Sequence, residues 1–472
     1  EAASKLLNRA GWVVTGLDNA RGSRWLSLDD GRIRLRISAA LKQLAADTAE
    51  VYCRVFLLGE GSTPGGLLVF ESAVTLASRY PSAPAAAPWP TADALPPRWH
   101  TPGQIYAHGM FHGPRLQGCT AVQQWGEGGM QAEITALPTH DYFAGLQPRF
   151  EFDPAVLDAA GQIAGFWLRE RYTEVRNCFP FRVRQLRLFA PPSAPGSKLS
   201  CRGRIAMQGE TQLEASFDLV DHSGALQMQA TGWEDRVFTV PDRFHAFRSH
   251  PDLAPLSEPA LAGLLPAELC LRRLVALPEG LLDDGGTIWK RVVAHMVLSR
   301  EERALFYALP TQGPRREEWL MGRLCAKDAV RDWLKQHGQP ALAAAEVEIL
   351  DGPLGRPVVR IAALPALPAP SVSISHSQGI AVALASNAGV MLGVDYQGSQ
   401  RVDVEALIRG AFAAAEQPWL LLPPAERAFA AVALWAAKEA AAKAAGTGLA
   451  GRPQDWLVVA ALLQPPPGAP AV

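Results

Sequence analysis

Long apolar runs are missing from this 472-residue chain. No stretch approaches the roughly 20 residues of a membrane-spanning helix, so no membrane partner is expected. Cysteine is scarce, and its six residues (Cys53, Cys119, Cys178, Cys201, Cys270, Cys325) are scattered without paired spacing. That suggests neither a zinc site nor a disulfide framework and makes a reducing, cytoplasmic setting the expectation. An excess of one charge is lacking too: 45 Lys and Arg against 46 Asp and Glu leave a formal net charge of -1, which gives no argument for nucleic acid. The first residues, Glu1-Ala-Ala-Ser-Lys-Leu-Leu7, carry neither a start methionine nor a signal pattern and read as the start of a piece cut from a longer polypeptide. What is present is a globular balance, 48% apolar and 19% charged, with room for about two to four domains.

Strand patterns come first: Arg32–Ile37, Val51–Leu57 and Leu67–Phe70, with Asp29-Asp-Gly31 as a turn. Residues 81–97 are proline-rich and read as a stiff connector. A helix over Phe152–Trp167, with Pro154 in its first turn, is followed by strands Arg182–Leu188, Cys201–Ile205, Leu213–Leu219 and Leu226–Ala230. Helix plus sheet, twice, implies a pseudo-repeat of layout.

The most informative stretch lies near the end. Ala433–Gly446 is an alanine-rich helix stopping at a glycine, with Trp435, Glu439 and Lys443 four apart on one face. Taken alone, the Glu-Lys pair reads as a solvated surface pair. Upstream stand Ser371-Val-Ser-Ile-Ser-His-Ser377, the strand Ile380–Leu384, and the turn Gly393-Val-Asp-Tyr-Gln397. Ser299 is placed to cap a helix carrying Glu301 and Glu302. A second helix, Glu317–Trp333, spaces Arg323 and Lys327 by four, and Asp351–Pro357 turns into Val358–Ile361. Phe412–Leu422 is rich in large apolar residues, suited either to docking a carrier-protein helix or to a core.

In this order the three motifs resemble the larger, surfactin-type 4'-phosphopantetheinyl transferases, pseudo-twofold α+β proteins. The resemblance implies Mg²⁺ at Asp395 and Glu439, with Gln397 a weak ligand where the family commonly has glutamate. It implies coenzyme A contacts at Arg323, Lys327, Ser375, His376 and Lys438, with Lys443 on the phosphate, and an acyl carrier protein as the acceptor. Glu439 and Lys443 are the catalytic candidates.

Tyr106-Ala-His-Gly-Met-Phe-His-Gly-Pro-Arg-Leu-Gln117 and Asp153-Pro-Ala-Val-Leu-Asp-Ala-Ala-Gly-Gln162 resemble the dehydratase domains of iterative polyketide and polyunsaturated-fatty-acid synthases, which are double hot-dog folds. The resemblance implies that Asp158 is the acid, that Gln162 orients it, and that the partner histidine lies on the first half, just ahead of that half's helix. This chain begins near the end of that helix, and His108 and His112 read as tunnel-wall or packing residues. Dehydration by this chain alone is therefore not expected. The expected organisation is α+β: a dehydratase-like double hot-dog over 1–248 (1–80 a partial first half, 81–97 a connector, 98–248 the second half), a linker over 249–266, and a transferase over 267–472. The whole reads as part of a multidomain synthase in the domain order of enediyne-type enzymes, with a homodimer through the dehydratase region possible on family grounds. A catalytically silent scaffold is the rival reading.

Overall fold

The structure is a computed structural model that describes residues 2–24, 26, 32–59, 65–87, 94–108, 110, 112–143, 150–261, 263–275, 289–310, 313–400 and 402–459. The expected turn at 29–31 and part of the 81–97 connector lie outside them. Two compact units emerge, Glu1–His245 and Ala246–Val472. Among the described residues no helix is long and apolar enough to cross a membrane.

The first unit contains α1 (Ala2–Leu7), β1 (Val13–Gly22), β2 (Arg34–Leu44), β3 (Thr48–Leu58), β4 (Leu67–Ala77), α2 (Pro102–His108), β5 (Cys119–Gly126), β6 (Gly129–Thr135), α3 (Pro154–Arg171), β7 (Arg176–Leu188), β8 (Lys198–Met207), β9 (Gln212–Val220) and β10 (Leu226–Thr239). Its strands form one ten-stranded sheet in the order β2-β3-β4-β1-β7-β10-β9-β8-β6-β5. The two halves join through antiparallel β1 and β7, where Leu17 faces Leu186. This sheet-and-helix layout is that of a hot-dog fold, as expected. β1, β5 and β6 were missed, because their short apolar runs are interrupted by polar residues, with glycines and charges among them in β1 and β6.

The second half wraps α3. Asp153 caps the helix by accepting from Ala155 N (2.8 Å) and Val156 N (3.2 Å), with Pro154 just inside. Ala159, Ala160, Ile163 and Ala164 are wholly buried against the sheet. Small residues allow that approach: a Cβ on Gly161 would stand 2.6 Å from the Trp233 ring. The first half is barer, and Leu35, Ile37 and Leu41 of β2 remain exposed, Ile37 by 58%.

α4 (Asp242–Ser249) crosses the boundary between units. The second unit continues with β11 (Glu258–Pro259), β12 (Cys270–Val275), α5 (Trp289–Val297), α6 (Arg300–Ala308), α7 (Arg315–Gln336), β13 (Glu348–Asp351), β14 (Pro357–Arg360), β15 (Ser371–Ser377), β16 (Ile380–Ser386), α8 (Val404–Ala411) and α9 (Pro424–Ala445). The antiparallel order β11-β12-β16-β15 makes a sheet on which α7 packs, and β13 and β14 form a hairpin. Residues 249–266, expected to be a linker, belong to this unit. Their backbone is pinned to α7, since Asp328 Oδ2 accepts from Leu256 N (3.0 Å) and Ser257 N (2.9 Å). Within 412–422, Phe412 and Leu420 are core residues beside α8 and α9, whereas Leu421 is 82% exposed.

One buried device occurs twice here. Lys327 Nζ on α7 donates to Glu302 Oε2 (2.6 Å), Val297 O (2.7 Å) and Ala344 O (3.2 Å), and Ile349 N donates to Glu302 Oε1 (3.1 Å). Lys438 Nζ on α9 donates to Glu416 Oε2 (2.6 Å), Ala411 O (2.8 Å) and Pro453 O (3.3 Å), and Val458 N donates to Glu416 Oε1 (2.9 Å). Each glutamate also accepts from the backbone N–H three residues before it, Ser299 or Ala413. Atom for atom the two clips correspond, which supports the pseudo-twofold expectation.

Candidate functional site

The clips correct two site expectations. Lys327 and Lys438 were to bind coenzyme A, yet they are 0% and 2% exposed. An ammonium has three hydrogens, and each lysine gives all three to protein acceptors. They hold helices; they do not face ligand.

The other candidates converge. A cavity of about 600 Å³ in the second unit is lined by Arg323, Ser375, His376, Asp395, Gln397 and Lys443. Arg315, Trp319 and Arg356 join them, none of which the sequence reading singled out. The signal was there: Arg315, Trp319 and Arg323 recur every four residues along α7. Arg323 stacks on Trp319, with Cζ 4.8 Å from the ring centre, and donates through Nη2 to Asp351 Oδ1 (2.7 Å). Its Nε is buried without an acceptor, a guanidinium edge suited to an anion. Glu318, on the same helix, approaches His376 Nδ1 at 3.8 Å. Burial lowers the His376 pKa, with Lys443 and Arg323 adding to the effect and Glu318 opposing it.

The alternating serines of β15 work as a rack for the acidic turn. Val394 N donates to Ser373 Oγ (3.0 Å), Tyr396 N to Ser375 Oγ (3.1 Å) and Gly398 N to Ser377 Oγ (3.4 Å). The Ser375 hydroxyl then donates to Asp395 Oδ1 (2.7 Å). Ser375, expected to touch coenzyme A phosphates, thus spends its one hydrogen on Asp395 and acts by placing that carboxylate. Gly393 lets α9 lie across this turn, because a Cβ there would stand 1.7 Å from the Ala440 carbonyl oxygen.

That contact brings α9 chemistry to Asp395. Lys443 Nζ reaches Asp395 Oδ1 (2.5 Å), Val394 O (3.2 Å) and Ile374 O (3.4 Å). Glu439, one turn earlier, is half-buried, and its pKa is raised by burial and by the charge of Asp395, with Lys443 opposing. Among the described residues no group of three or more His, Cys, Asp and Glu could hold a metal. The set offered is Asp395, with the Gln397 amide on the same cavity wall, and Glu439, whose carboxylate feels the charge of Asp395. That donor set fits a hard divalent cation completing its shell with water, since the Asp395 corner already gathers three oxygens around a positive charge.

In the first unit Asp158 and Gln162 lie one turn apart on α3, as expected, and Gln162 Nε2 donates to Asp158 Oδ2 (2.7 Å). His112, read as a wall residue, instead places Nε2 3.6 Å from that same oxygen.

Residues 84–242 match the family model described as polyketide synthase dehydratase N-terminal domain, and residues 391–470 match that of the 4'-phosphopantetheinyl transferase superfamily. The chain joins a dehydratase-family region to a transferase-family region. The transferase match contains the Asp395 turn and α9, and the dehydratase match contains the Asp158 helix. Solved structures similar to this chain include the dehydratase domain of RzxB from Pseudomonas fluorescens (15% identity, 49% of this chain and 80% of that chain, TM-score 0.34). A trans-AT polyketide synthase dehydratase domain from Brevibacillus brevis gives 17% identity over 49% and 77%, TM-score 0.37. The dehydratase domain from the CurK module of curacin polyketide synthase gives 19% over 51% and 80%, TM-score 0.35. At such identities and TM-scores the likeness carries no inference about activity.

Proposed function

We propose that the second unit moves 4'-phosphopantetheine from coenzyme A to a serine of an acyl carrier protein, within a polyketide or fatty-acid synthase. One observation carries this reading: a single cavity joins Arg315 and Arg323 of α7 to Asp395 and Lys443, with Glu439 within electrostatic reach of both. Arg323, with its unfilled Nε, and the rim residues Arg315 and Arg356 bind the phosphates of coenzyme A. His376 contributes a further donor to the same anion. The carrier serine oxygen attacks the β-phosphorus of the pyrophosphate, the phosphorus–oxygen bond to the α-phosphate breaks, and 3',5'-adenosine bisphosphate leaves. Glu439, its proton affinity raised, takes the serine proton through water. Lys443 neutralises the phosphate oxygens as charge develops. Mg²⁺, which Asp395 and Glu439 would hold with Gln397 beside them, supplies charge neutralisation on the pyrophosphate.

Incubating the chain with coenzyme A, Mg²⁺ and apo carrier proteins, then weighing the carriers, tests the reading. A phosphopantetheine mass gain that a chelator abolishes is expected. No gain on any carrier, including those of the parent synthase, would overturn it.

A further inference from the structure

β15 sends its side chains two ways. Ser373, Ser375 and Ser377 accept from the backbone of the acidic turn, and by alternation Ile374 and His376 face α7 instead. They meet that helix at Gly322, where a Cβ would stand 3.1 Å from His376 Cδ2 and 3.2 Å from Ile374 Cγ2. The missing side chain lets the imidazole lie against α7. One turn earlier on that helix, Glu318 Oε2 stands 3.8 Å from His376 Nδ1. Among the described residues the Glu318 carboxylate has no other ion pair. His376, Arg315, Trp319 and Arg323 line the cavity, whereas Glu318 is not part of its wall. A carboxylate so close to an anion site repels the ligand unless it acts through another group.

We propose that Glu318 is a positioning residue of the coenzyme A site, holding His376 by Nδ1 so that Nε2 presents its hydrogen to phosphate in the cavity. The inference rests on the transferase reading of this cavity and adds to it the residue that makes His376 a donor. A neutral imidazole has one N–H, and a carboxylate beside Nδ1 keeps that hydrogen on Nδ1. Nε2 then offers a lone pair, which phosphate oxygens repel. Protonation puts a hydrogen on each nitrogen, one for Glu318 and one for the ligand. His376 therefore binds phosphate as the imidazolium, and Glu318 favours that form. The charged groups around the ring are Glu318 and Arg323 from α7 and Lys443 from α9. Burial, first, lowers the His376 pKa; Glu318 opposes it, and Lys443 and Arg323 lower it further. A bound phosphate acts in the same direction as Glu318, so ligand binding draws a proton onto His376. The histidine's share of the affinity is thus full below its titration in the free protein and is lost as pH rises through its titration in the complex.

The test is calorimetric titration of the full chain with coenzyme A and Mg²⁺ across pH, on the wild type, Glu318→Gln, His376→Gln and the double variant, with a side-chain NMR titration of His376 in the free proteins. Glu318→Gln should weaken coenzyme A about tenfold near neutral pH, as loss of a charge-assisted hydrogen bond requires. It should also move the His376 titration to lower pH. In the His376→Gln background the same substitution should tighten binding by about twofold, because only repulsion of the anion is then removed. The pH dependence that His376→Gln abolishes separates the imidazole from the ligand's own phosphates. Unchanged or tighter binding in Glu318→Gln, equal weakening in both backgrounds, or a His376 titration indifferent to Glu318→Gln would each overturn the proposal while wild-type binding leaves the transferase reading standing. No binding of coenzyme A by the wild type would overturn both.

Discussion

The two halves of the second unit hold their principal helices with the same buried clip and give those helices opposite tasks. On α7, Lys327 is locked to Glu302, and the face turned to the cavity carries Arg315, Trp319 and Arg323. On α9, Lys438 is locked to Glu416, and Lys443 lines the cavity with the half-buried Glu439 one turn before it. One half thus presents cations suited to phosphate, and the other a carboxylate that with Asp395 suits a metal. A duplicated scaffold keeps its buried electrostatics, because a charge left unpaired inside costs far more than one altered on a cavity wall.

The comparison is broken most sharply by cutting a clip. Lys327→Met and Lys438→Met each leave a buried glutamate without its cation and should destabilise the second unit by about 3–5 kcal/mol in denaturant melts. Replacing lysine and glutamate together with apolar residues should restore most of that stability. A large loss at one clip and none at the other would end the equivalence. Next in size is Glu439→Gln, expected to lower carrier modification by about a hundredfold or more while leaving the melt unchanged, since its role lies in proton transfer and cation binding. An unchanged rate would remove Glu439 from the chemistry.

A smaller and opposite effect is expected at Lys443. Its ammonium occupies the oxygen-lined corner at Asp395, Val394 and Ile374. In the absence of coenzyme A, Lys443→Met should therefore bind Mn²⁺ about tenfold more tightly, by calorimetry, even as transfer is lost. Weaker binding would show that the ammonium and the metal do not share that corner. Smallest is Gln397→Glu, where an added carboxylate should lower the Mg²⁺ concentration for half-maximal transfer by a few-fold. A shift in the other direction would place residue 397 away from the cation.

Much of this was legible in the sequence for local reasons. Helical spacing and Gly446 marked α9, whose C-cap does adopt a left-handed φ of 74°. The Ser299 cap was readable from its place before Glu301 and Glu302, and the structure completes it as a capping box with Glu302. Alternation marked β15 and β16. The misreadings share a different cause. Whether Lys327 or Lys438 reaches ligand depends on Glu302 and Glu416, which lie 25 and 22 positions away, and charge pattern along a helix says nothing of that. Ser375 was recognised, but its hydroxyl is claimed by Asp395 only once the turn has folded onto β15. His112 stands 3.6 Å from Asp158, a tertiary approach absent from the motif.

Calorimetric titration of coenzyme A with Mg²⁺ tests the cavity assignment most directly, run on the wild type, on Arg323→Met and on the paired Lys327→Met/Glu302→Leu replacement. The wild type should bind one equivalent. Arg323→Met should weaken binding at least about tenfold, as loss of a charge-assisted contact to phosphate requires, and the folded clip replacement should bind like the wild type. No binding by the wild type, or affinity lost in the clip replacement but kept in Arg323→Met, would contradict the account.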